Sequence, residues 1–310
     1  MQDTLHSRVH DSLDRCLDSP AGGDALERRW RGVFQALDAA REGLPSDEWR
    51  DLAEGLRGHD LFAQAQTEPV TRRAFDKPRG YAGDAVTMDM LYSGPPADGT
   101  GPSRDPGQRL SRLLLNQTPA AGVRERRRSM GRVLADLAQE PGSAEVLSVA
   151  CGHLREAETA FRNPRSLTRL VGLDQDGESL SEVRRSLEGH PVVTVERSVR
   201  TLLRGDVDLG RFDLIYSLGL FDYLEERTAA RLTSVLFQHL RPGGRLMIAN
   251  FLPIPMRGYM EAFMDWWLIY RTPQEMAALT SQLDPGELSG CAVSTGPEGA
   301  IGWLDLRRAA

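Results

Sequence analysis

The sequence predicts an α/β protein with a mostly parallel sheet, an antiparallel C-terminal hairpin and a helical N-terminal region. Three observations lead there. From residue 144 onward, short β-branched and apolar runs alternate with helical patterns, the signature of strands joined by crossover helices. The first run, AEVLSVACGHLRE (144–156), stops at a small-residue turn, and the second, RLVGLDQD (169–176), ends in an acid. The chain closes with CAVST, a GPEG turn and AIGWLDLR, which read as a strand pair folded back on itself.

Taken in order, Leu5, Val9, Leu13 and Leu17 recur near helical spacing, as do Trp30, Val33, Phe34 and Leu37, so residues 1–75 are expected to be helical. SPAGGD (19–24) and GLPSDEW (43–49) punctuate these helices, with a helix start at Ser46–Glu48. DKPRGYAGD (76–84) places two glycines and a proline between helical patterns and leads into the helix AVTMDMLY. SGPPADGTGPSRDPGQ (93–108) is expected to be a long loop. From Arg109 to Gln139 the pattern is helical again, and RERRR (124–128) is expected to be a solvated helix face. EVLSVA, LTRLVGLD, VVTVE, FDLIYSL and RLMIANF are the five parallel strand candidates, with Pro242-Gly243-Gly244 as a turn before the fifth. The expected division is a helical region over 1–140, capping an acceptor site, and a nucleoside-binding domain over 141–310.

Composition narrows the function classes. Net charge is −6 from 38 basic and 44 acidic residues, so nothing global favours nucleic acid or an anionic membrane surface. Three dispersed cysteines, Cys16, Cys151 and Cys291, give neither a disulfide framework nor zinc-ligand spacing, and no metal is expected. The charged N-terminus does not read as a signal peptide, and no apolar run suits a membrane span. The expectation is a cytoplasmic protein without membrane insertion; a homodimer is one open option.

Strand, small-residue turn, helix, strand and acid is the order that builds a nucleoside pocket in a parallel, Rossmann-like sheet. Ala150, Cys151 and Gly152 form the turn, where Gly152 lets a ligand approach the backbone, and a helix is expected from about Leu154. Asp174, with Gln175 beside it, ends the second strand, where a carboxylate can accept two ribose hydroxyls. Ser198 and Val199 fall in the third crossover, where an adenine edge would lie. Ser217, Leu218 and Gly219 close the fourth strand; Phe221 and Tyr223 beyond it, and Asn250 at the end of the fifth, face the same crevice. The spacing favours S-adenosylmethionine over a dinucleotide.

On these motifs the last ~170 residues resemble class I S-adenosylmethionine-dependent methyltransferases. KPRGYAGD (77–84), LSVACGHLRE (147–156), YSLGLFDYL (216–224) and DWWLIYR (265–271) further resemble a bacterial branch labelled extracellular-factor, 3-hydroxypalmitic acid methyl ester biosynthesis proteins. The resemblance implies a cofactor, S-adenosyl-L-methionine, and a small-molecule acceptor, with a carboxylate such as a hydroxy fatty acid among the candidates. Methylation of another small metabolite at O, N or C, and a non-catalytic cofactor-binding module, are the alternatives. In the superfamily the first turn usually reads acid-x-glycine-x-glycine-x-glycine, whereas Ser148, Ala150 and Leu154 stand here at the acid and two of the glycine positions. Glu156 or Asp84 could supply the missing carboxylate, and Arg79 or Arg155 could pair with the methionine carboxylate. Tyr81, Asp84 and Tyr223 are the polar groups expected at the reacting centre, with Arg79 and Tyr81 also near the cofactor. Trp266, Tyr270 and Arg271, expected on a helix after the fifth strand, join Phe221, Tyr223 and Asn250 around the acceptor.

Overall fold

The computed structural model describes residues 2–18, 24–94, 105–140, 143–161 and 167–310. The punctuation expected at 19–23 and most of the loop expected at 93–108 lie outside them; the described end of that loop, Pro106–Gln108, already belongs to a helix. The chain divides into two compact units, one of residues 1–121 with 254–267 and one of residues 122–253 with 268–310.

The first unit is helical: α1 Gln2–Leu17, α2 Asp24–Gly43, α3 Ser46–Gly55, α4 Asp60–Ala65, α5 Pro69–Asp76, α6 Ala85–Tyr92 and α7 Pro106–Leu115. Helix α8, Thr118–Leu137, carries the chain into the second unit. The segment 254–267 returns to the helical unit and contributes α13 Arg257–Met264. That excursion has physical causes visible in its contacts. Tyr259 and Phe263 stack with ring centroids 5.0 Å apart, and Trp30 and Phe34 of α2 meet Tyr259 edge-on at 6.1 and 5.1 Å. Asp38 accepts the backbone N–H groups of Met256 at 2.7 Å and Gly258 at 2.8 Å, satisfying donors at the start of α13. The buried Glu261 accepts from Arg41 Nε and Trp49 Nε1, both at 2.6 Å. Burial raises the Glu261 carboxyl above its ordinary range, even with the Arg41 charge opposing it.

The second unit is a seven-stranded sheet in the order β3-β2-β1-β4-β5-β7-β6. Its strands are β1 Ala144–Val149, β2 Leu167–Asp174, β3 Val192–Glu196, β4 Phe212–Ser217, β5 Leu240–Phe251, β6 Leu288–Thr295 and β7 Ile301–Arg308. The first five pair parallel, and β7 runs antiparallel to both β5 and β6. Crossover helices α10 Gly177–Ser186, α11 Val199–Arg204 and α12 Glu226–Gln238, with the short α9 Ala157–Ala160 and α14 Pro273–Ala278, complete the unit. Leu147, Leu173, Phe212, Ile215, Phe237 and Ile248 pack in its apolar core, as near-continuous apolar runs in a parallel sheet require.

The fifth strand and the segment after α13 differ from the sequence reading. The fifth strand begins at Leu240 and takes Pro242-Gly243-Gly244 into its span, where the pairing with β4 skips from Phe212↔Leu240 to Leu214↔Arg245. The expected turn is thus an irregularity within the strand pairing, and Gly243 supplies its left-handed φ of 75°. Residues 265–272 form no helix, because Asp265 adopts φ 46° after α13 and ends it.

A Cβ added at Gly258 would lie 2.5 Å from the Leu37 carbonyl carbon. Gly258→Ala should therefore destabilise the helical unit by about 1–3 kcal/mol, the usual scale of overpacking. Urea unfolding checks this, and an unchanged midpoint would contradict the close approach.

Candidate functional site

At the head of β1 the chain makes a turn through Ala150, Cys151, Gly152 and His153. Ala150, Gly152 and Leu154 have φ of 54°, 54° and 53°. Alternate residues are left-handed, so the backbone keeps the path that glycines would give even though two of the three positions carry side chains. For a non-glycine residue that region costs roughly 1–2 kcal/mol. Two contacts hold the turn: Cys151 N–H donates to the Leu173 carbonyl at 3.1 Å, and Gly152 N–H donates to Asp174 Oδ2 at 2.8 Å. The other oxygen of Asp174 accepts from Asp176 N–H at 3.0 Å. Burial raises the Asp174 carboxyl, while these backbone donors oppose the shift. The acid at the end of β2 and the turn at the end of β1 therefore form one hydrogen-bonded piece.

Around this piece, Gln175 is exposed, and Ser198 caps α11, its hydroxyl accepting from Arg200 N–H at 3.4 Å with Val199 beside it. Ser217 donates to the Val149 carbonyl at 3.0 Å and ties the head of β4 to that of β1. Leu218 and Gly219 continue that edge. The helix expected from Leu154 starts only at Ala157 and spans four residues, so the turn rather than a helix terminus shapes this corner. Cys151 is buried, which pushes its thiol well above the ordinary range and suits packing rather than nucleophilic attack. Arg155 is engaged by Glu182 at 2.8 Å and Glu158 at 3.5 Å. Glu156 is buried and accepts the Tyr216 phenol at 2.9 Å.

Beyond β4, polar side chains lace the backbone. Asp222 Oδ1 accepts Phe251 N–H at 2.7 Å, and its own carbonyl accepts Ile269 N–H at 2.7 Å. Arg271 donates to the Phe221 carbonyl at 2.6 Å, to Asn250 Oδ1 at 2.5 Å and to the Leu224 carbonyl. Asn250 Nδ2 donates to the carbonyls of Phe251 and Ile269, each at 2.9 Å. These contacts fix 268–271, which form no helix, against the ends of β4 and β5, where a helix was expected. Phe221 is fully buried, Tyr223 is 39% exposed, and Tyr270 meets Phe251 at 6.5 Å between ring centroids.

A residue that the sequence reading placed on a solvated face belongs here as well. Within RERRR only Arg128 is exposed; Glu125 and Arg126 are buried. The Arg126 guanidinium lies 3.6 Å from Asp222 Oδ2 and 5.6 Å from the centre of the Phe251 ring. A Cβ on Gly219 would come within 3.4 Å of it. No local pattern in the sequence marks this inward turn, since the acid that Arg126 faces lies far along the chain. Burial pushes the Asp222 carboxyl up to about 6, against the opposing charge of Arg126 and the N–H of Phe251.

In the helical unit, Asp84 is fully buried, caps α6 by accepting Thr87 N–H at 2.7 Å, and takes the Arg73 guanidinium on both oxygens at 3.0 and 2.6 Å. Burial would raise this carboxyl, but the Arg73 fork outweighs it and holds the group below its usual range. Lys77, with φ 46°, pairs with Asp265, which also accepts Trp267 Nε1 at 2.8 Å. The two ends of KPRGYAGD are thus anchored, with Arg79 and Tyr81 half-buried between them. Trp266 is buried and donates its backbone N–H to the Met260 carbonyl at 2.9 Å, closing α13. Among the described residues no group of histidine, cysteine and acidic side chains could hold a metal ion, and no helix is long and apolar enough to cross a membrane.

Residues 146–244 match the family model described as a methyltransferase domain. The chain is similar over its whole length, at TM-score 0.60 and 18% identity, to a possible exported protein from Bordetella parapertussis, 97% of which is covered; this likeness shows the fold. It is also similar to the N-methyltransferase NodS from Bradyrhizobium japonicum WM9, solved with S-adenosyl-L-homocysteine, at TM-score 0.43 and 15% identity over 59% of this chain and 87% of that one. CalS10, an amino pentose methyltransferase from Micromonospora echinaspora, gives TM-score 0.42 and 16% identity over 62% and 97%. No curated protein matches the chain.

Ala150→Gly should raise stability by up to about 1 kcal/mol, the relief of left-handed strain less the entropy that glycine adds to the unfolded chain; chemical denaturation checks it, and a loss of stability would contradict the strain. Asp222 binds its proton near pH 6 in the fold and near its ordinary value of 3.8 when unfolded. Its contribution to stability is therefore greatest below about pH 4 and declines as pH rises to about 6. Asp222→Asn should remove up to about 1.4 kcal/mol per pH unit of that decline, read from unfolding midpoints between pH 4 and 6.

Proposed function

We propose that this S-adenosylmethionine-dependent methyltransferase of the class I fold acts on a small molecule, with a carboxylate acceptor, as in a hydroxy fatty acid, the first candidate. One observation carries the cofactor assignment: the left-handed turn Ala150–Leu154, bonded through Gly152 N–H to the Asp174 carboxylate. It suits the group for a physical reason. The turn gives a ligand access to backbone without intervening bulk at Ala150 and Gly152, and the acid at the end of the neighbouring strand is bonded to that same turn.

In this reading Asp174 accepts the ribose hydroxyls, with Gln175 beside it, and Ser198 and Val199 border the adenine. Ala150, Cys151 and Gly152 back the methionine part, and Ser217, Leu218 and Gly219 close its other side. When bound, S-adenosylmethionine supplies a methyl group to a nucleophile by in-line displacement, a step governed by positioning and exclusion of water. An ionised carboxylate acceptor needs no general base, which fits a site whose titratable groups are largely consumed by structural contacts. Within the second unit Tyr223 is the polar group assigned to the acceptor, with Phe221 and Tyr270 as its surroundings. Asp84, Asn250 and Arg271 serve as positioning residues, since each is committed to backbone or to an ion pair.

Calorimetric titration with S-adenosylmethionine and S-adenosylhomocysteine is expected to give micromolar binding of both. Asp174→Ala should weaken each by roughly 1–3 kcal/mol, the cost of losing an acceptor to buried hydroxyls. Wild-type affinity in that variant would remove Asp174 from the site. Binding that leads to no methyl transfer across hydroxy fatty acids and other small carboxylates would turn the screen to O, N and C acceptors.

A further inference from the structure

Asp222, where the chain leaves β4, is 2% exposed, and the groups that bear on it come from α8, β5 and the segment after α13. From α8 the Arg126 guanidinium stands 3.6 Å from Oδ2. From β5 the Phe251 N–H donates to Oδ1 at 2.7 Å, and from the segment after α13 Arg271 acts through space. A spacing of 3.6 Å is longer than a hydrogen bond, and a buried ion pair offsets its desolvation only with close, hydrogen-bonded geometry. Burial here outweighs the Arg126 charge and the Phe251 N–H, since the carboxyl is pushed up to about 6. At neutral pH the fold therefore holds Asp222 ionised to the detriment of its own stability. The charge serves something other than stability, and its surroundings say what. The Arg126 guanidinium lies 5.6 Å from the centre of the Phe251 ring and 3.4 Å from where a Cβ would stand on Gly219. One cation thus meets the chain leaving β4 at both Gly219 and Asp222. On either side of that stretch, Ser217 bonds the Val149 carbonyl at 3.0 Å and Arg271 holds the carbonyls of Phe221 and Leu224.

We propose that Arg126 and Asp222 are a positioning pair for methyl transfer: their opposite charges hold the chain from Gly219 to Tyr223 where it completes the S-adenosylmethionine site, without either side chain touching the cofactor. The inference rests on the cofactor reading above, in which Ser217, Leu218 and Gly219 close the methionine side and Tyr223 faces the acceptor. Protonation of Asp222 ends its pull on Arg126, and the guanidinium is then no longer drawn to its place between Gly219 and the Phe251 ring. Arg271 does not substitute, because its guanidinium is bonded to the Phe221 and Leu224 carbonyls and to Asn250 Oδ1. The protein thus binds its cofactor best with Asp222 ionised, although it is more stable with Asp222 protonated. Binding and stability ask for opposite states of one carboxyl, a conflict of the kind that functional sites carry.

The test is calorimetry with S-adenosylhomocysteine at about pH 7.5 and about pH 5, on the wild-type protein and on Asp222→Asn, which keeps the shape and stays neutral. At about pH 7.5 the variant should bind about tenfold more weakly than the wild type. At about pH 5 only about one wild-type molecule in ten has Asp222 ionised, and the two affinities should converge to within about twofold. Asp174, whose carboxyl burial also raises, titrates in both proteins and cancels from that ratio. Arg126→Gln should show the same convergence and serves where the asparagine variant does not fold. The wild-type protein gives a further reading by carbon-13 NMR: saturating S-adenosylhomocysteine should lower the Asp222 titration midpoint from about 6 to about 5, the reciprocal of the pH effect on binding. Weakening by the same factor at both pH values marks a structural lesion and overturns the proposal. So does an affinity that neither variant changes, or an Asp222 midpoint that the ligand does not move. A wild-type protein that binds no S-adenosylhomocysteine at either pH overturns the cofactor reading, and this proposal with it.

Discussion

Much of the second unit's candidate site depends on one hydrogen bond, from Gly152 N–H to the Asp174 carboxylate. It joins the turn after β1 to the end of β2, and the Cys151 N–H to Leu173 carbonyl contact seconds it. Without these bonds the left-handed conformations at Ala150 and Leu154 would relax at a gain of roughly 1–2 kcal/mol each. The turn would then lose the path on which the proposed cofactor site depends. Strain of this kind persists only where surrounding contacts over-determine it, and it concentrates where a protein binds something.

The neighbouring polar groups follow one logic. Asp222, Asn250 and Arg271 spend their hydrogen bonds on the backbone of Phe221, Leu224, Phe251 and Ile269. Ionisable side chains at strand ends here act largely as fasteners. In the proposed reading the acid of β2, Asp174, is the one kept for a ligand, while Glu156 and Arg126 are buried against Tyr216 and against Asp222 and Phe251. A methyltransferase can be built this way because its chemistry asks for orientation more than for proton transfer.

The parallel strands were legible because apolar runs such as LTRLVGLD and FDLIYSL have no competing helical period, and the acid at 174 follows from strand order alone. Less legible were features set by contacts distant in sequence. RERRR looks solvated by composition, yet Arg126 turns inward because a buried acid lies ninety-odd residues away. The helix expected through Trp266–Arg271 fails at Asp265, whose left-handed φ accompanies its bonds to Lys77 and Trp267. The return of 254–267 to the helical unit depends on aromatic packing against α2 that no local pattern announces. Departures from the glycine pattern at 150 and 154 were visible in the sequence; that the backbone keeps the glycine conformation was not.

A crystal structure of the protein with S-adenosylhomocysteine tests the central claim most directly. Ribose hydroxyls within hydrogen-bond distance of Asp174, with Ala150, Gly152 and Leu154 still left-handed, is the predicted result. A ligand bound away from that acid, or a turn that abandons the left-handed conformation when the ligand enters, would contradict it.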